Sequence, residues 1–175
     1  MKIVNIIIMI LFMKSNINCV KYFKFLSVNT CTNNSEIVIL EKCEIENASF
    51  TLIVTLKTPI TKMLVTITVH FLQHNKIIQS LHIKQLDWCQ TFKHGKVPSN
   101  VLWRIVMSGF GKYLRHYTKC PLKNKVIFEK VNADSKMMQF IPIVKVRFDI
   151  LMDNIGENKQ HDLFNVSFTG EVFDQ

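Results

Sequence analysis

Apolar and polar residues alternate one by one over much of this chain. Phe50, Leu52, Val54 and Leu56 interleave with Thr51, Ile53, Thr55 and Lys57. Met63, Val65, Ile67, Val69 and Phe71 do the same with Leu64, Thr66, Thr68, His70 and Leu72. A period of two marks a half-buried β-strand. It returns as Val144, Val146, Phe148, Ile150 and Met152 against Lys145, Arg147, Asp149 and Leu151. A closing strand follows, with Phe164, Val166, Phe168 and Val172 inward and Asn165, Ser167, Thr169 and Glu171 on its other face. Segments 20–28, 36–43, 77–86 and 126–131 read as further strands from their aromatic and branched residues. Thr58-Pro59, His74-Asn75-Lys76 and 153–162 are turn signals. Seven or eight short strands without strand–helix alternation predict an all-β fold, a two-sheet sandwich or a small barrel. No repeat, low-complexity tract or linker divides residues 20–175, which read as one domain.

One helix interrupts the pattern. Within residues 87–121, Ser99 after Pro98 is a candidate N-cap, and Leu102, Ile105, Val106 and Phe110 share one helical face. Gly109 and Gly111 weaken this helix, whereas Lys112, Arg115 and His116 suit its C-terminal end. An apolar stripe of this kind is ordinarily core. The same stretch carries the marked charge asymmetry of a chain whose net charge is +9. No acid lies between Trp88 and Phe128, yet Lys93, Lys96, Arg104, Lys112, Arg115, Lys119, Lys123 and Lys125 do. Such a run is either a solvated face or a set of cations for anionic headgroups or an anionic membrane surface. It lacks the interleaved aromatics of a single-strand nucleic-acid binder, and no nucleic-acid partner is expected.

Residues 1–19 read as a signal peptide: Met1-Lys2, an apolar run over 3–13 broken only by Asn5, then a polar stretch ending at Cys19. The run is shorter than the roughly 20 residues of a membrane span. Cleavage after Cys19 leaves Cys31, Cys43, Cys89 and Cys120, an even set that allows three pairings. Nearness along the chain favours Cys31–Cys43, and Cys89–Cys120 is expected to close the helical insert. Sequons at Asn33, Asn47 and Asn165 agree with a secreted, extracellular glycoprotein.

The cysteine framework runs Val28-Asn29-Thr30-Cys31, then Glu41-Lys42-Cys43, then Asp87-Trp88-Cys89-Gln90-Thr91-Phe92, then Cys120-Pro121 before a strand. In this order it resembles a large insect family of small secreted proteins of unknown function, some of them chemosensory. From Cys120 onward the layout is similar to the ganglioside activator protein and so to the ML lipid-recognition domains. The resemblance covers about residues 28–173. It departs in two places: no cysteine follows Pro121, and Ile141-Pro142-Ile143 keeps only the proline of a Pro-Gly pair.

The resemblance implies an immunoglobulin-like β-sandwich, with one short helix in its disulfide-closed insert and sheets that splay to admit an apolar ligand. A cavity between two sheets opens only at an edge or end, so its mouth is expected beside the Cys89–Cys120 insert. Phe92, Leu102, Trp103 and Phe110 are then candidate lining at the mouth, and Phe71, Phe148 and Phe168 deeper in. Arg104, Lys112 and Arg115 are candidates for an anionic headgroup.

Enzymatic chemistry finds little support. The six histidines show no metal-ligand spacing with the cysteines, and no nucleophile elbow, zinc-protease motif or phosphate-binding glycine loop is present. No enzyme activity, metal or cofactor is expected. Two functions remain. One is a carrier or chemosensory accessory holding a lipid or other hydrophobic molecule, with a membrane surface or receptor as further partner. The other is an extracellular protein-interaction module with a filled core. The 48% hydrophobic content suits the first, which requires an apolar void of about 300 Å3 or more for a drug-sized ligand.

Overall fold

The computed structural model describes residues 21–33, 35–93, 101–117, 119–132, 143–155 and 160–174, the side chains of residues 101, 104, 105, 108, 115, 160 and 161 excepted. The expected signal peptide, the Ser99 cap and the Ile141-Pro142 pair lie outside the described residues.

Eight strands follow in chain order: β1 (Lys21–Asn33), β2 (Val38–Glu46), β3 (Ser49–Leu56), β4 (Met63–Gln73), β5 (Lys76–Asp87), β6 (Lys125–Val131), β7 (Lys145–Ile155) and β8 (Gln160–Asp174). They form two antiparallel sheets, a five-stranded one in the order β1-β8-β7-β4-β5 and a three-stranded one in the order β2-β3-β6. The fold is the all-β sandwich that the alternation predicts. The period-two faces fall as read: Leu52, Val54, Val65, Val69, Val146, Phe148, Val166 and Val172 are buried between the sheets. A one-residue slip would have placed Lys145, Arg147 and Asp149 inside, at a desolvation cost no sandwich of this size sustains.

Two hairpins set the register. Asn47 and Ala48 turn β2 into β3, and His74 and Asn75 turn β4 into β5, each pair at positive φ. Two-residue loops of this form match the twist of the strands they join. Gly170 on β8 is buried because the Phe23 ring lies across it; a Cβ there would fall 2.0 Å from the ring. Phe23, Phe25, Phe50, Phe148 and Phe168 then stack edge and face through one end of the core.

Both expected disulfides form. Cys31–Cys43 joins β1 of the larger sheet to β2 of the smaller, so it staples the sheets together. Cys89–Cys120 closes the insert between β5 and β6. Among its described residues that insert carries two helices rather than the single one expected: α1 (Trp88–Lys93) and α2 (Val101–Leu114), the latter continued by a 3-10 turn over Arg115–Tyr117. The first was hidden because six residues are too few to display helical periodicity. Asp87 caps it, its Oδ1 accepting from the Gln90 N–H at 3.0 Å. Among the described residues no helix is long and apolar enough to cross a membrane.

Candidate functional site

Where α2 lies between β5 and β6, the edge strands of the two sheets, the sheets do not close on each other. An apolar cavity of about 130 Å3 remains there. Its floor is the inward face of β3 (Leu52, Val54, Leu56), β4 (Met63, Val65, Ile67) and β8 (Phe164, Val166, Phe168). Val106, Phe110, Tyr113, Leu114 and Tyr117 cover it from above, and Val126, Phe128 and Val131 of β6 close the side. The floor residues are all buried, whereas Tyr113, Leu114, Tyr117, Val126 and Phe128 are half-buried. The cavity therefore approaches solvent at the seam between α2 and β6.

Two phenols fasten that seam. The Tyr117 hydroxyl accepts from the Ile127 N–H and donates to the Ile127 carbonyl, both at 2.7 Å. The Tyr113 hydroxyl accepts from the Asn132 N–H at 3.1 Å. Lys112 stands beside them, its Nζ 4.8 Å from the Tyr113 ring centre.

The structure divides the expected ligand-binding residues. Phe110 and Phe168 line the cavity; Phe71, Phe92, Leu102, Trp103 and Phe148 do not. Trp103 was expected at the mouth but is fully buried beneath α1, its ring 6.2 Å from Trp88 and 6.1 Å from Phe92. The physical reason is the unforeseen α1, which supplies Trp88 and Phe92 as a roof for that indole. Leu102 is buried on the same helical turn. Phe148 is held within the phenylalanine stack, and Phe71 lies beyond Val69 towards the far end of β4. The residues missed were the floor of β3 and the two tyrosines. The floor was legible as core, but nothing in a strand pattern reveals that the opposite wall stands away from it. Of the expected headgroup cations, Lys112 is exposed near the seam, and the side chains of Arg104 and Arg115 lie outside the described set.

Above the disulfide lies a second, wider concavity of about 780 Å3, bordered by Lys62, Lys93 and Lys119 with Asp87 among them. The acid-free stretch supplies two of these lysines, and Lys62 arrives from the segment before β4.

On the outer face of the larger sheet the register assembles a polar chain. Asp149 accepts from His70 Nε2 at 2.9 Å and from the Ser167 hydroxyl at 2.6 Å, and Arg147 pairs with it at 3.2 Å. The Ser80 hydroxyl meets His70 Nδ1 at 2.7 Å. A carboxylate only accepts, so Nε2 carries a proton. Ser80, His70 and Asp149 thus repeat the order of a nucleophilic triad, but neither concavity includes any of them. The surrounding strand N–H groups are committed to the ladder rather than free to bind an oxyanion. The arrangement braces β5, β4, β7 and β8. Asp149→Asn is expected to lower the unfolding free energy by about 2 kcal/mol. An unchanged urea midpoint would show that the chain braces nothing.

On the smaller sheet, Lys125 and then the Thr55 hydroxyl hold the Glu41 carboxyl below the usual carboxylate range. Whatever this pair adds is present above that range and fades as pH falls through the lowered value. The three sequon asparagines differ in setting. Asn47 is exposed in a hairpin turn, Asn33 is exposed but its amide donates to the Val38 carbonyl, and Asn165 is half-buried between Thr32 and Leu151.

No protein-family model matches the chain, and no curated protein matches it.

Proposed function

We propose that this protein is a secreted binding protein that holds a small hydrophobic molecule, or one chain of a lipid, between its sheets. The observation that carries the reading is the wholly apolar cavity beneath α2, roofed by a helix that two tyrosine hydroxyls fasten along a single seam. A dry apolar void costs stability, because its walls forgo packing. Retaining one between the sheets, rather than filling it with larger side chains, is what a ligand site requires. Its volume sets the class of guest. An apolar cavity of roughly 150 Å3 accepts benzene, so the closed state suits a small aromatic or a short alkyl chain. A longer acyl chain needs the seam to part. Two disulfides and the resemblance to insect secreted proteins and ML domains support an extracellular carrier or chemosensory accessory. Lys112 beside the seam suits an anionic end group, and Asn47 is the sequon best placed to carry a glycan.

The interaction-module reading has its own support: the cavity is smaller than a drug-sized pocket, and the phenylalanine stack fills the rest of the core. Replacing Leu114 with Trp separates the two. It fills the cavity from the half-buried helix end without disturbing the strands. Saturable binding of benzene or 1-hexanol, followed by the chemical shifts of cavity methyl groups, is expected in the native protein. Leu114→Trp should weaken it by about tenfold or more, with the melting temperature unchanged or raised. Native protein that shows no saturable shift would leave the filled-core module as the function.

A further inference from the structure

The outer face of the five-stranded sheet changes character towards the end at which β1 and β7 begin. Its middle rungs carry the polar chain of His70, Asp149 and Ser167. Its last rungs do not. Tyr22 of β1 stands opposite Phe173 of β8, with ring centres 6.0 Å apart. The Val172 N–H donates to the Val144 carbonyl just before β7, which brings Ile143 to this end of the sheet. The next rung runs Lys24, Glu171, Lys145, Leu72 and Ile77 across all five strands, and Lys76 follows at the hairpin beside it. Tyr22, Phe173, Ile143, Ile77 and Ile78 are between 36% and 60% exposed. Among the described residues, five large apolar side chains are thus gathered on one end of one sheet, with Lys21, Lys24, Lys76 and Lys145 among them and Glu171 and Asp174 as acids.

We propose that this end of the sheet docks on an anionic phospholipid surface. Tyrosine, phenylalanine and isoleucine side chains partition to the boundary between headgroups and acyl chains, and lysines bury their stems there while their ammonium groups meet phosphates. The positive balance of the patch complements an anionic leaflet. It opposes a second copy of the chain, because face-to-face pairing would bring Lys24, Lys76 and Lys145 of both copies together. The docking surface lies on the outer face of the larger sheet and the cavity on its inner face, so the inference stands whether or not the cavity takes a ligand.

The test is flotation of the full chain, made in a eukaryotic secretory host, with phosphatidylcholine vesicles and with phosphatidylcholine–phosphatidylserine vesicles. The native protein should float with the anionic vesicles alone. A Tyr22→Ser, Ile77→Ser, Ile143→Ser variant should lose this association, and Lys24→Gln, Lys76→Gln and Lys145→Gln should each weaken it by about fivefold. Ile39→Ser with Ile127→Ser, exposed residues of the other sheet, should leave it unchanged. All these positions are exposed, and an unaltered melting temperature confirms the fold. The proposal is overturned if the native protein stays with neither vesicle, if the apolar variant floats like the native one, or if the patch proves to drive concentration-dependent dimerisation instead.

Discussion

Replacing Cys89 and Cys120 together with alanine is expected to lower the unfolding free energy by about 4 kcal/mol, the larger of the two disulfide effects in this chain. The bridge spans 31 residues and Cys31–Cys43 spans 12. On the chain-entropy model the shorter loop is worth about 3 kcal/mol. More than loop closure is at stake for the longer one. It anchors α1 at the point where Trp88 turns into the core, and the Trp88 indole N–H donates to the Tyr117 carbonyl at 2.7 Å across the same insert. Without the bridge, packing, the Trp88 indole bond and the two tyrosine contacts remain among the described residues to hold α1, α2 and the 3-10 turn. Urea titration with intrinsic tryptophan fluorescence measures the loss directly. A larger loss in the Cys31→Ala, Cys43→Ala pair than in the Cys89→Ala, Cys120→Ala pair would contradict this ranking.

Trp103→Ala should cost about 3–5 kcal/mol, the range for deleting a buried aromatic side chain. Trp103 is the largest side chain in the protein with no solvent exposure, and it packs against two other rings. A charged replacement such as Trp103→Glu should fail to fold, because its carboxylate would be buried against the Trp88 and Phe92 rings. Limited proteolysis and near-ultraviolet circular dichroism read out both variants. A folded Trp103→Glu protein that had merely lost ligand uptake would restore this residue to the cavity mouth.

The strands were legible because each inward residue repeats at a period fixed by the pleat, and both hairpin turns lie where the alternation stops. The Cys31–Cys43 bridge followed from proximity, and Cys89–Cys120 from the insert it closes. What the pattern could not supply was the third dimension. Phe110 and Trp103 sit on one short helix and look alike in the sequence, yet one lines the cavity and the other is walled off by Trp88 and Phe92. That difference is decided by α1, whose six residues fall below the length at which periodicity shows. Likewise His70 and Asp149 are 79 residues apart and read as two outward strand positions until the β4–β7 register brings them together.

The Tyr117 hydroxyl has an effect beyond the seam it fastens. Strand β6 ends the smaller sheet, and the Ile127 N–H and carbonyl point away from β3. A bare strand edge is a template on which another extended chain can add, the first step of aggregation. One phenol donates to and accepts from the same residue there, as a neighbouring strand would. Ile127, an exposed apolar position on that edge, is thereby already taken.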